Sequence, residues 1–178
     1  MKHIEYEERV IISENDYLKI IEDFSSYPQE RLLIENIYLD NREQFIYKTK
    51  KMLRIRNINQ SRQELTLKIG QPDGSNLEIN ETLENHPLID QKLNNQFGCY
   101  KEVLRLVTHR VEIKMDDYLL VIDKNEYNNI IDYNIEIEAN SQQKAQEIIK
   151  KYCEKYNLTY KENCPTKSQR AFDSYYKK

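Results

Sequence analysis

The sequence predicts an α+β fold: a single domain spanning residues 1–178, built as an antiparallel eight-stranded β-barrel with flanking helices. Three observations predict it. About eight segments alternate apolar with charged or polar residues, so that each, as a strand, has one face of each kind. Two segments, 14–24 and 142–156, instead carry apolar residues at helical spacing behind a serine suited to capping. Finally, charge recurs on one face of these strands: Glu5, Glu7 and Arg9 in 3–10, Arg54 and Arg56 in 53–56, Lys68 in 64–69, Arg110 in 103–114, and Glu136 and Glu138 in 130–139. An open sheet would gain nothing from so one-sided a placement. Closure into a barrel turns the apolar faces out against the helices and the charged faces onto an interior.

The elements follow in order. In the strand 3–10, Glu5, Glu7 and Arg9 share one face and Ile4, Tyr6, Glu8 and Val10 the other. The two carboxylates stand about 7 Å apart, a spacing at which they can share a hard divalent cation, and the neighbouring guanidinium suits a phosphate. Ser13 with Asp16 three residues on resembles a capping box and opens the helix 14–24, which Ser25-Ser26-Tyr27-Pro28 breaks. A strand is predicted over 31–40, with Leu33, Tyr38 and Leu39 among its apolar members and a turn at Asn41-Arg42-Glu43. Leu53–Arg56 and Glu64–Ile69 form a hairpin across the short polar connection 57–63, setting Arg54, Arg56 and Lys68 on one surface.

Pro72-Asp73-Gly74 is a turn signal, Leu77–Glu81 alternates again, and 88–96 reads as a short helix. His86, in a connector before Pro87, is structural or exposed. Residues 103–114 predict a long strand with Thr108, Arg110 and Glu112 on one face; His109, Val111 and Ile113 take the other, directed to the core or a helix. After a turn at Asp116-Asp117, 118–124 and 130–139 complete the set, and the last repeats the acidic alternation with Glu136 and Glu138 on one face. Ser141 caps the helix 142–156. A short edge strand is expected at 158–160, and a terminal helix after Pro165 with Lys167 and Arg170 in a cationic first turn.

Composition narrows the chemistry. The net charge is only −3 although 32% of residues are charged, so no general basic excess marks a nucleic-acid binder and local charge placement carries the argument. Three cysteines, far apart, support neither a disulfide framework nor a zinc site and fit a reducing cytoplasm. No apolar signal core or membrane-length apolar run occurs, so no membrane partner is expected. With only 3 Gly there is no phosphate-cradling glycine loop, and any phosphate must be bound by side chains.

At these residues the chain resembles the CYTH superfamily, the triphosphate tunnel metalloenzymes that include thiamine-triphosphatases, inorganic triphosphatases and class IV adenylate cyclases. The family's N-terminal Glu-x-Glu-x-Lys is matched by Glu5, Glu7 and, with a changed cation, Arg9. Its Arg-x-Arg strand is matched by Arg54 and Arg56, the following strand lysine by Lys68, a later strand arginine by Arg110, and its closing Glu-x-Glu by Glu136 and Glu138. Lys167-Ser-Gln-Arg170 resembles the last tunnel cations of the bacterial adenylate-cyclase-like subgroup. The likeness runs from residue 3 to about 172.

The resemblance implies Mg²⁺ or Mn²⁺ held by Glu5, Glu7, Glu136 and Glu138, and a triphosphate-containing small molecule held by Arg9, Arg54, Arg56, Lys68, Arg110, Lys167 and Arg170. The family's motif lysine, often with a nearby tyrosine, handles the attacking water; Arg9 and Tyr38 stand in those catalytic places. Arginine stays protonated in proteins, so Arg9 can clamp phosphate but cannot act as a base. The expected activity is metal-dependent hydrolysis of short triphosphates, inorganic triphosphate first, by a monomer or homodimer. An adenylate cyclase and a non-catalytic polyphosphate or nucleotide sensor are the alternatives, the second favoured by Arg9.

Overall fold

The computed structural model describes residues 2–73, 75–94 and 97–177; the side chains of Lys2, His3 and Glu5 lie outside the described set, as does Gly74 of the expected turn. The chain runs β1 (Lys2–Ile12), α1 (Glu14–Asp23), β2 (Glu30–Asp40), α2 (Phe45–Lys48), β3 (Lys51–Ile58), β4 (Arg62–Gly70), β5 (Asn76–Glu81), α3 (Pro87–Lys92), β6 (Lys101–Lys114), β7 (Tyr118–Tyr127), β8 (Ile130–Ala139), α4 (Gln142–Tyr156) and α5 (Lys167–Tyr176). The caps follow the sequence chemistry. Hydroxyls of Ser13, Ser141 and Thr166 accept the backbone N–H groups of Asp16, Lys144 and Gln169 at 3.1, 3.3 and 3.1 Å, satisfying donors that a helix start leaves orphaned. Asn128 and Asn129, both at positive φ (46° and 61°), make the tight β7–β8 turn, a conformation asparagine tolerates better than most residues.

The eight strands form a closed antiparallel barrel in the order β1-β5-β4-β3-β2-β6-β7-β8. β1 closes it by dividing its pairing: Lys2–Glu5 pair with β5, and Tyr6–Ile12 with β8. Outward apolar faces meet the helices. Val10, Val111, Ile113, Leu120, Ile122, Ile135 and Ile137 pack under α1 and α4. Leu53, Leu65, Leu67 and Ile79 join Ile46 and Ile89 in a second cluster, which also takes in Phe172 of α5. Burying these aliphatic side chains contributes about 1.5–3 kcal/mol each before ordering costs.

Four expectations need correction. α2 was not anticipated; the Asp40 carboxylate creates it by accepting the N–H groups of Ile46 and Tyr47 at 2.9 and 3.1 Å. Residues 158–160 form no strand: Asn157 closes α4 at φ 54°, and Leu158 donates its N–H back to the Cys153 carbonyl (2.8 Å), so the segment is spent on the helix C-terminus. The short helix ends at Lys92, with Asn95 and Gln96 outside the described residues. His109 is not core-facing: the α1–α4 cover reaches Val111 and Ile113, and the His109 side chain is 52% exposed beside Glu126.

Candidate functional site

Alternation places the polar faces of all eight strands inside the barrel, where they enclose a cavity of about 130 Å³. On one side the β1–β8 register sets Glu7 opposite Glu138 and Arg9 opposite Glu136. Carboxylate oxygens of Glu7, Glu136 and Glu138 can thereby lie within 4.8 Å of one another. Three hard anionic oxygens so close together fit a divalent cation such as Mg²⁺ or Mn²⁺. They are meanwhile held by cations. Glu7 meets Arg9 at 2.7 Å and Lys68 at 2.9 Å, while Glu136 meets Arg9, Arg110 and Lys167 at 3.4, 3.3 and 3.5 Å. Burial opposes ionisation of Glu7 and Glu136, but these cations outweigh it and hold both carboxyls below their usual range.

Two further carboxylates join them. Asp123 of β7 takes Arg110 bidentately at 2.9 and 2.9 Å and also bonds the Lys167 ammonium. Glu78 of β5 lies 3.8 Å from Arg54 and 3.9 Å from Lys68; despite its burial, Arg54, Lys68 and Arg56 keep its carboxyl at about 2. Sequence reasoning missed both. Glu78 was legible in the alternation Leu77-Glu78-Ile79, whereas Asp123 ends an apolar run, Leu119–Ile122, that conceals which face is inward.

The opposite wall differs. Arg54 Nε and the Tyr38 hydroxyl, both buried, have no hydrogen-bond partner among the described residues. Arg56 donates to the Asn36 amide oxygen at 3.1 Å, and burial together with Arg54 and Arg110 lowers its pKa to about 10. Register pairs Tyr38 with Arg54 and Asn36 with Arg56, so these groups sit side by side across β2 and β3. Burial pushes the Tyr38 phenol above its usual range, only partly offset by Arg54 and Arg56.

The expected residues therefore divide. Glu7, Tyr38, Arg54, Arg56, Lys68, Arg110, Glu136, Glu138 and Lys167 all line the cavity. Arg9 does not; it borders a second cavity of about 740 Å³, its guanidinium bridging Glu7, Glu136 and the Cys164 carbonyl (3.2 Å). Arg170 lies off the cavity as well, bound to Asp132 and Asn134. Glu5 occupies β1 opposite Asn76, its side chain outside the described residues.

A closed antiparallel barrel enclosing interleaved carboxylates and cations defines a charge-lined tunnel protein. The chain belongs to the CYTH family, whose domain description matches residues 3–170. Solved structures agree on the fold. A candidate adenylate cyclase from Bacillus halodurans superposes with a TM-score of 0.82 at 22% identity, covering 96% of this chain and 98% of that one. A candidate adenylyl cyclase from Hippeastrum, reported to have a dominant triphosphatase activity, superposes with a TM-score of 0.74 at 17% identity, covering 97% and 96%. The PH1012 protein of Pyrococcus horikoshii superposes with a TM-score of 0.65 at 17% identity, over 94% and 98%. No curated protein sequence matches the chain. Among the described residues no helix is long and apolar enough to cross a membrane.

Proposed function

We propose that this chain is a divalent-metal-dependent hydrolase of short linear triphosphates, with inorganic triphosphate as its first substrate. One observation carries the reading: a cluster of three carboxylates faces an underpaired Arg54–Arg56–Tyr38 wall across a single small cavity. Phosphoryl transfer asks mainly for positioning and charge neutralisation, and those two walls supply both.

Glu7, Glu136 and Glu138, with Glu5 from the same strand, would hold Mg²⁺ or Mn²⁺. The metal, when bound, would neutralise phosphate oxygens and lower the pKa of a water. Arg54 and Arg56 orient the phosphate chain by bidentate contact, and the Tyr38 hydroxyl donates to it. Lys68, Arg110 and Lys167 exchange carboxylate partners for phosphate oxygens. Arg9 supports the ligand set from behind by holding Glu7 and Glu136. Neither Arg9 nor Tyr38 suits the base: one stays cationic and the other has a raised pKa. Activation of the water would therefore fall to the metal, when bound, and the carboxylates that hold it.

The second cavity shares Glu7, Lys50, Asn76, Thr166 and Gln169 with the first. Its volume would admit a nucleoside beside the tunnel, which keeps a nucleotide substrate and cyclase chemistry in view. The deciding assay measures phosphate release from inorganic triphosphate, thiamine triphosphate and ATP with Mg²⁺ and with Mn²⁺, with cyclic AMP quantified in the same tubes. Metal-dependent release from inorganic triphosphate is expected. Tight binding with no turnover of any of them would identify a sensor.

A further inference from the structure

The C-terminal helix delivers a cation to the tunnel from a long connector. Residues 157–166 contain neither helix nor strand, and their backbone is tied down at Leu158 by the Cys153 carbonyl and at Cys164 by Arg9. Lys167, the first residue of α5, reaches Asp123 and Glu136. One helical turn further on, Arg170 enters a different, part-buried network. Its Nε and Nη2 donate to the two oxygens of Asp132 at 2.7 and 2.9 Å, Nη2 also to Asn134 Oδ1 at 2.8 Å, and Nη1 to the Pro165 carbonyl at 2.9 Å. Asp132 is itself held by the Tyr127 hydroxyl at 2.5 Å and the Asn125 amide at 2.9 Å. Asn125 further donates to Asn134 at 2.8 Å.

We infer that Arg170 is a positioning residue: it anchors the first turn of α5 to Asp132 so that Lys167 stands in the tunnel. This rests on the triphosphate reading of the tunnel and replaces the expectation that Arg170 binds substrate. The geometry excludes a free phosphate clamp. Each arm of the guanidinium is committed, and its carboxylate partner sits two inward-facing steps along β8 from Glu136, away from the acid cluster. Releasing the arginine would leave the part-buried Asp132 without its main cation, a loss that phosphate binding would have to offset. Phe172 and Tyr176 pack with tilted rings against Tyr47 and secure the second and last turns; the Arg170–Asp132 fork secures the turn that bears Lys167.

The test compares Arg170→Lys, Asp132→Asn and Lys167→Ala, with the double variants Arg170→Lys/Lys167→Ala and Asp132→Asn/Lys167→Ala. Two readouts are taken: dissociation constants for inorganic triphosphate, and hydrogen exchange of the α5 amides in the full chain. Arg170→Lys and Asp132→Asn are both conservative in shape and should preserve the barrel. Asp132→Asn, although off the cavity, should weaken triphosphate binding about tenfold, as Arg170→Lys does, and neither should add to the loss in Lys167→Ala. Both should speed α5 exchange about tenfold or more while leaving β8 protected. Unchanged α5 exchange overturns the inference. So do losses that multiply with Lys167→Ala, or normal binding by Asp132→Asn when Arg170→Lys binds poorly, which would make Arg170 a direct ligand. If the unmodified protein binds no triphosphate, the proposed function fails, and the exchange measurements still decide the anchor.

Discussion

The two walls of the tunnel solve opposite problems. On the β1–β8 wall the described charges are already compensated: Glu7 and Glu136 each touch at least two cations. On the β2–β3 wall, among the described residues, Arg54 Nε and the Tyr38 hydroxyl are buried without hydrogen-bond partners, and Arg56 donates to an amide oxygen. A compensated wall is stable as it stands and must exchange partners to bind anything. An underpaired wall has accepted a desolvation cost in advance and regains it when an anion arrives. Folding stability should therefore respond more strongly to substitutions on the compensated side than on the underpaired one, while binding suffers on both.

The largest expected effect is on the underpaired wall. Arg54→Ala should reduce kcat/KM for inorganic triphosphate by about 10²–10³, with a smaller loss of stability than on the other wall, because Arg54 leads the cations that hold Glu78 ionised but Lys68 and Arg56 remain to do so. Steady-state kinetics and a thermal melt on the same preparation check both halves. On the compensated wall, Glu136→Gln should cost activity and stability together. Arg9, Arg110 and Lys167 lose a shared counter-charge, which should cost about 3 kcal/mol in urea unfolding, alongside weaker dependence of turnover on Mg²⁺.

Acid should dismantle the carboxylate network. Glu78 has a folded pKa of about 2 against an ordinary 4.5, so its contribution is complete above about 4.5 and is lost as pH falls towards 2. Glu7, Glu136 and Asp123 shift in the same direction. Unfolding free energy should fall steeply across that window. Glu78→Gln should flatten the slope, removing on the order of 3 kcal/mol from the total loss across the window, and an unaltered slope would remove Glu78 from the network. The smallest effect is expected from Tyr38→Phe. Deleting an unsatisfied buried hydroxyl should leave the free protein unchanged or about 1 kcal/mol more stable, while triphosphate binds a few-fold more weakly. The pH profile of kcat should not move, because the raised Tyr38 pKa makes it a donor and not a base.

Much of the barrel was legible because period-two alternation is a direct imprint of a closed sheet with unlike faces. Arg54/Arg56 and Glu136/Glu138 announced their faces through their own aliphatic neighbours. The same logic failed where neighbours were uninformative or remote. Asp123 hid in an apolar run, and His109 followed the pattern of its strand but lay beyond the reach of the helices. The parts of Arg9 and Arg170 could not be read from spacing, since both depend on partners more than 30 residues away, at Glu136 and Asp132. α2 likewise depends on what Asp40 caps and not on any helical periodicity in four residues.

The divided pairing of β1 has a consequence for how the protein comes into being. Glu7 meets Glu138, and Arg9 meets Glu136, only when the first strand closes on the last, across a sequence separation of 127 in the Arg9–Glu136 pair. Forming such a contact is slow, because loop closure precedes any reward from it. During synthesis the acid cluster cannot exist until the ribosome has released residue 138, so a nascent or truncated chain offers no three-carboxylate site to capture metal ahead of time. Once formed, a bound divalent ion would fasten that seam by mass action, making the last step of assembly the one most sensitive to metal concentration.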